Sequence, residues 1–302
     1  MIGWAIDTLG NALSLPAQVW GATPGPIKTV IIAAFGTLIG AWLTSRSQEK
    51  RRVVEELRAI HAAFTICFAI VNKGLGIKRQ HIRPMKADFD AAVARYDAWM
   101  EADPKPPLEF DLDLRTLSKV RFDGPTLERV VFEKCSLGHL GLAAVLSLED
   151  ATNDLNTSIE YRNNLISQFQ QNPPATELER IILYVGAYGD GKVDERFAHN
   201  LEALLHQADD IIFFGMVLSQ ELLKLERRIR ARNRWKYRLG VPKQYPADWT
   251  IARNENLIPG REQYADWLRG FAKVPSKWDL FAGWFRQMRA DTRAYPASHD
   301  AQ

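Results

Sequence analysis

From Ile27 to Thr44 the chain reads IKTVIIAAFGTLIGAWLT, uncharged except for Lys28 at its outer edge. At about 1.5 Å of rise per residue this stretch spans about 27 Å, enough to cross the hydrocarbon core of a bilayer. It predicts a membrane-spanning helix. The helical pattern does not stop there. Neither Pro nor Gly occurs from Ala41 to Lys73, and Val53, Leu57, Ile60, Phe64, Cys67, Val71 and Leu75 recur at steps of three or four. The span is therefore expected to continue as a stalk and become the first helix of a folded domain. Gly74 and Gly76 predict a turn, and Pro84 predicts the start of a further helix on which Phe89, Val93, Tyr96 and Met100 share a face. A rival reading makes residues 60–77 a second span. His61, Asn72 and Lys73 inside that stretch, and basic residues on both sides of it, argue against it.

Downstream the period stays helical. Leu142, Val145, Leu148, Leu155, Ile159, Leu165, Ile166 and Phe169 predict a helix over 137–171, which Pro173-Pro174 stops. Further helices are predicted over 177–188 and from Asp194 to about Arg234, the last with an apolar centre, IIFFGMVL, that is too short to span and belongs in a core. Leu108 to Leu117 alternates apolar and polar residues and predicts a strand or, having no obvious partner strand, an extended arm. Asp123-Gly124-Pro125 is a turn into a short helix, LERVVFEK. The expected fold class is mainly α: a transmembrane helix continuing into a helical bundle over residues 45–235, with a short extended segment near 108–117. Ahead of the span, Ile2, Ile6, Leu9 and Leu13 form one helical stripe in a tail over 1–26, read as an interfacial helix or a loose end. Beyond it, residues 236–302 carry five prolines and four of the nine tryptophans, and predict a C-terminal cap with short helices around 260–272 and 276–290.

Composition sharpens this only in part. The 302 residues are 46% hydrophobic and 25% charged, so the span is an addition to an ordinary globular domain. The net charge of +3 names no partner, but the charges are uneven. Only Lys28 precedes the span, whereas Arg46, Lys50, Arg51, Arg52 and Arg58 follow it. The positive-inside rule then places the N-terminus outside and the domain in the cytoplasm, at a bacterial inner membrane. Cys67 and Cys135 sit among apolar residues and read as free thiols in a reducing compartment.

Three stretches invite chemistry. Gly186 to Lys192 has the G-x-x-x-x-G-K spacing of a phosphate-binding loop, but Val193 stands where a magnesium-holding Ser or Thr belongs, so the stretch reads as a helix ending at glycine and a turn. Glu195, His199, Glu202 and His206 share one helical face and carry metal-ligating groups, yet the second Glu-x-x-His of a di-iron bundle is missing and the expected reading is a solvated face. Lys224 to Arg238 packs Arg227, Arg228, Arg230, Arg232, Arg234, Lys236 and Arg238 against the lone acid Glu226, with Trp235 and Tyr237 interleaved. Such a run can contact anionic lipid or nucleic acid, and a membrane tether favours lipid. Within the span, Gly36 and Gly40 form G-x-x-x-G, a spacing that lets two membrane helices approach closely and makes a homo-oligomer an open alternative. Tyr161-Arg162-Asn163-Asn164 is odd for a helix, since two adjacent asparagines are poor helix formers that cap, bend or bind. Nothing selects a catalytic residue, and no cofactor is expected.

The stretches GAWLTSRSQEKRR, LERVVFEKCSLGHLGLAAVLSLED and LNTSIEYRNNLISQF together resemble uncharacterised bacterial membrane-anchored helical proteins, over about residues 27–170. The architecture is similar to that of some membrane effectors of antiphage defence. The resemblance implies an anchored helical domain with a protein partner and transfers no residue. The leading expectation is a single-pass protein that acts by binding, as adaptor, sensor or effector. A membrane-damaging defence effector controlled by a partner is the alternative, and an enzyme with a site in 186–206 a second one.

Overall fold

The computed structural model describes residues 25–103, 111–186, 194–237 and 239–271. It is mainly helical, with no strand among the described residues. Helix α1 runs from Gly25 to Ile77 without a break, 53 residues and about 80 Å. It is long and apolar enough to cross a membrane, judged by length and composition. Its two halves meet different surroundings. Phe35, Leu38, Ile39, Trp42 and Leu43 are exposed, with Leu38 at 66%. From Leu57 onward the same helix is core: Leu57, Ile60, Ala63, Phe64, Cys67, Ile70 and Val71 are buried. Most apolar side chains of 60–77 are thus covered by protein, Phe68 being an exposed exception, whereas those from Phe35 to Leu43 are not.

The turn expected at Gly74 and Gly76 does not form. The helix passes through both glycines, widens into a π turn over Lys78–Ile82, and continues as α2, Arg83–Glu101. Pro84 explains the widening. It lacks the N–H that would bond residue 80, and its ring crowds that carbonyl. The wider turn, with Arg83 N–H on Lys78 O, lets the chain go on without reversing. Gly74 has another use. A Cβ there would lie 2.8 Å from an Ile211 methyl, and one at Gly215 would run into Val71. The glycines let α1 lie directly on α6, Arg196–Asn233.

Three long helices make the bundle: the core half of α1, α4 (His139–Gln171) and α6. The short α3, Gly124–Lys134, wedges Leu127 and Val131 between α1 and α4. The apolar centre of α6 is core as expected, with Ile211 to Gly215 and Leu218 buried. Helix α1 climbs while α6 descends: His61 meets Glu226, Cys67 meets Ser219, and Lys78 meets Asp209. Helix α5, Glu177–Val185, starts on a Thr176–Glu179 capping box and ends at Gly186, whose φ of 79° suits glycine alone without strain.

The described part of the C-terminal tail packs on the bundle. It runs back along the groove between α1 and α6 and includes α7 (Thr250–Asn254), a tight turn (Arg261–Tyr264) and α8 (Ala265–Arg269). Trp249 sits 5.4 Å from Phe68, and the Tyr264 ring stacks on Phe213 at 3.7 Å. Lys78 donates to Leu257 O at 2.9 Å, and Arg83 to Glu255 O at 2.6 Å. The expected helix at 276–290 and the stripe at 2–13 lie outside the described residues.

The alternating segment is an arm. Residues 111–123 lie extended on α4 with Leu117 buried. Lacking a neighbouring strand, the backbone is satisfied by side chains. Asn163 accepts from Leu117 N–H at 2.9 Å and donates to Leu117 O at 2.7 Å. Asn156 does the same for Val120, at 2.8 and 2.9 Å. Two helical turns rise about 10.5 Å and three extended residues about 10 Å, so the two carboxamides match the arm in register. The buried Arg162 donates to Asp113 O at 2.9 Å and Arg115 O at 3.3 Å. Tyr161 and Asn164 stay exposed. The unusual tetrad therefore binds the chain's own arm. Asn163→Ala is expected to lower stability by about 1–3 kcal/mol, since it strands the Leu117 N–H and carbonyl. Asn164→Ala should stay within about 0.5 kcal/mol of the parent. Denaturant unfolding of the two variants checks this, and equal midpoints would remove the role given to Asn163.

Candidate functional site

The basic run read from the sequence ends α6, and the fold carries that end back to the place where α1 leaves its apolar stretch. Arg46 donates to Lys236 O at 3.2 Å, the Tyr237 hydroxyl donates to Glu49, and Lys236 Nζ lies 3.8 Å from Glu49. Two basic clusters about 180 residues apart in sequence thus face one another. Lys50, Arg51 and Arg52 contribute exposed cations from α1, and Arg227, Arg228, Arg232, Arg234 and Lys236 do so from α6. The acid between them is engaged: the hydrogen bond from Tyr237, with the charges of Lys236, Arg232 and Arg46, outweighs desolvation and holds the Glu49 carboxyl below its ordinary range. Trp42 and Trp235 flank this level, 56% and 82% exposed. Each carries a guanidinium over its ring, Arg46 at 5.3 Å and Arg234 at 4.6 Å.

Arg230 does not belong to this surface. Its guanidinium turns inward, to Glu226 at 2.7 Å, to Val241 O at 3.0 Å and to Pro242 O. Glu226 is buried and also takes His61 Nε2 at 3.1 Å and the Gln244 N–H at 3.1 Å. Burial alone would raise this carboxyl, but the donors from His61, Arg230 and Gln244 outweigh it and hold it below its ordinary range. The lone acid of the basic run is thus a rivet joining α1, α6 and the start of the cap. Arg238 lies outside the described residues.

The other candidates do not assemble. Glu195 precedes α6 and His199 pairs with it at 3.1 Å on an exposed face, with Glu202 and His206 also exposed. Among the described residues no group of three or more His, Cys, Asp or Glu is placed to hold a metal. Of the glycine-loop stretch, Gly186 caps a helix where a phosphate loop would follow a strand, and 187–193 lie outside the described residues. A Cβ on Gly36 or Gly40 would meet nothing within 4 Å, so that face of the span is open in the single chain. The thiols are poor nucleophiles: burial pushes Cys67 up to about 12, and burial together with Glu56 does the same for Cys135. Beside Cys135 a cleft of about 730 Å³ opens between Arg52–Ala62 of α1 and Val130–Ser136, with both signs of charge on its walls.

Sequence reasoning missed the meeting of the two basic clusters, because it depends on the length of α6 and the register of its packing. The nearest sequence signal was that both clusters abut long helices of opposite expected direction. Compared with known proteins, the chain matches no family model, no curated protein and no solved structure.

A carboxylate whose pKa is lowered on folding contributes stability that is complete above its unfolded value and lost as pH falls through the folded one. For Glu226, whose folded pKa is lowered, that loss falls in the acid range as pH drops through and below the ordinary glutamate value. The melting temperature should therefore drop on acidification through this range, and Glu226→Gln should make the drop shallower. At pH 7 the same variant should lose about 3 kcal/mol, because Arg230 is left without its buried partner. Parallel pH profiles for parent and variant would refute the rivet.

Proposed function

We propose that the chain is a single-pass inner-membrane protein whose helical domain acts by binding, as an adaptor, sensor or effector. The observation that carries this reading is the continuity of α1. One unbroken helix presents exposed apolar side chains at Phe35 to Leu43 and core side chains from Leu57. A tether of this kind places the domain at a fixed distance and azimuth from the bilayer, as a flexible linker would not. The basic residues on the Arg46 side support a cytoplasmic domain and an N-terminus on the other face. The surface offered for binding is built from large exposed groups near the membrane exit, Trp42 and Trp235, among the cations described above.

Two measurements on cells expressing the full chain test this. After alkaline carbonate washing the protein should stay in the membrane pellet. A Ser47→Cys variant should react with a membrane-impermeant maleimide only when the cytoplasmic face is opened. Release by carbonate would reject the span, and labelling from the outer face of intact cells would reverse the orientation.

A further inference from the structure

The two basic clusters and two exposed tryptophans share one level of the molecule, and geometry limits what can meet them there. Arg46 follows the apolar stretch by two residues, about 3 Å along the axis from Thr44, and Lys236 lies within reach of its side chain, which holds the Lys236 carbonyl. Arg232 lies in the last turn of α6 and Arg234 and Lys236 in the turn that follows it, all within about 6 Å of the Lys236 level, while Arg227 and Arg228 stand about 12–14 Å from it. Electrostatic attraction at physiological ionic strength fades over about 8 Å, so the inner group feels a charged surface and the outer pair feels it weakly. Trp235 at the same level is 82% exposed with Arg234 across its ring. An indole so placed, apolar in body with one N–H, matches the boundary between acyl chain and headgroup.

We propose that this level is a docking surface for anionic phospholipid headgroups. Phosphates are taken by Lys50, Arg232, Arg234 and Lys236, and Trp235 enters the interface as a second anchor beside Trp42. The proposal rests on the spanning reading of α1. Charge decides the headgroup class. Glu226 is buried with Arg230 and His61, and Glu49, 3.8 Å from Lys236, is the one acid set among Lys50, Arg51, Arg52, Arg232, Arg234 and Lys236, so the level keeps a net positive charge. Position decides between a bilayer and nucleic acid. The cations surround a helix as it enters the membrane, so the leaflet occupies the volume a duplex would need. Docking at α6 in addition to α1 fixes the tilt of the bundle on the membrane, because two anchors at one level define a hinge line where a single helix defines only a pivot.

The test uses the full chain in lipid nanodiscs with brominated acyl chains, which quench nearby indoles. Discs of phosphatidylcholine alone are compared with discs that also contain phosphatidylglycerol. Trp235 is read as the difference between the parent and Trp235→Phe, and Trp42 likewise through Trp42→Phe. The account expects Trp235 to be quenched in the anionic discs. About half or more of that quenching should vanish on raising salt from about 0.05 to about 0.5 M, and equally in an Arg232→Gln, Arg234→Gln, Lys236→Gln variant whose melting curve matches the parent. Quenching of Trp42 should persist in every disc and at every salt. Loss of that signal, or failure to enter discs, would sink the span itself and so is distinguishable from failure of the docking surface. Trp235 unquenched in anionic discs, or quenched alike with and without phosphatidylglycerol, would overturn the proposal. So would salt-sensitive binding of a duplex DNA oligonucleotide with Trp235 unquenched, which would assign the cations to nucleic acid.

Discussion

Antiparallel contact between α1 and α6 governs the rest of the structure, and it is possible only because both helices are bare at their closest approach. Gly74 accepts Ile211, and Gly215 accepts Val71. Each glycine in a helix interior costs about 1 kcal/mol relative to alanine, and the dense packing of Cys67, Ile70, Val71, Ile211 and Leu218 offsets that cost. Between those glycines the Cys67 thiol donates to Gly215 O at 3.1 Å, a contact that needs the backbones close. The register set there is transmitted along rigid helices in both directions. Toward one end it brings Lys78 to Asp209 and receives the cap at Leu257 and Tyr264. Toward the other it joins His61 to Glu226 and delivers the end of α6 to Arg46. The basic surface is a consequence of this packing rather than a separate design.

A second constraint is the satisfaction of backbone that lies outside helices. Two non-helical segments, 111–123 and 239–249, are pressed on the bundle, and neither has a strand beside it. Their carbonyls and amides are met by long or forked polar side chains rooted on helices: Asn156, Arg162 and Asn163 for the arm, Arg230 and Glu226 for residues 241–244. A buried cation is costly by itself, but here each sits among several acceptors, Arg162 over two carbonyls and Arg230 over a carboxylate and two carbonyls. The bundle is thereby closed without a sheet.

Much of the helical architecture was legible in the sequence, because burial on one face leaves a period of three to four that any reader can count. The long α1, α4 and α6, the helix stop at Gly186 and the aromatic cap all follow from that period and its punctuation. Three features were not legible. Gly74 and Gly76 look like a turn, since a glycine serves close packing and chain reversal equally and only the partner helix distinguishes them. Pro84 looks like a fresh start, whereas a π turn absorbs it. In the basic run, Arg230 reads like its neighbours. Its inward commitment depends on Glu226 being buried four residues before it, with His61 arriving from 165 residues away in the chain. At the site, residue types were readable and their meeting was not, because the sequence carries no record of which helix ends share a level.

Just beyond its end, α6 meets the place where α1 leaves its apolar stretch, at Arg46 and Glu49. Cysteines at Glu49 and Tyr237, in the full chain in native membranes, test this meeting most directly. A short bismaleimide should join them within one molecule in high yield, while a cysteine at exposed Arg253 on the cap should fail to cross-link with the one at Glu49. Absence of the Glu49–Tyr237 cross-link in protein with normal thermal unfolding would contradict the register, and with it the basic surface built on that register.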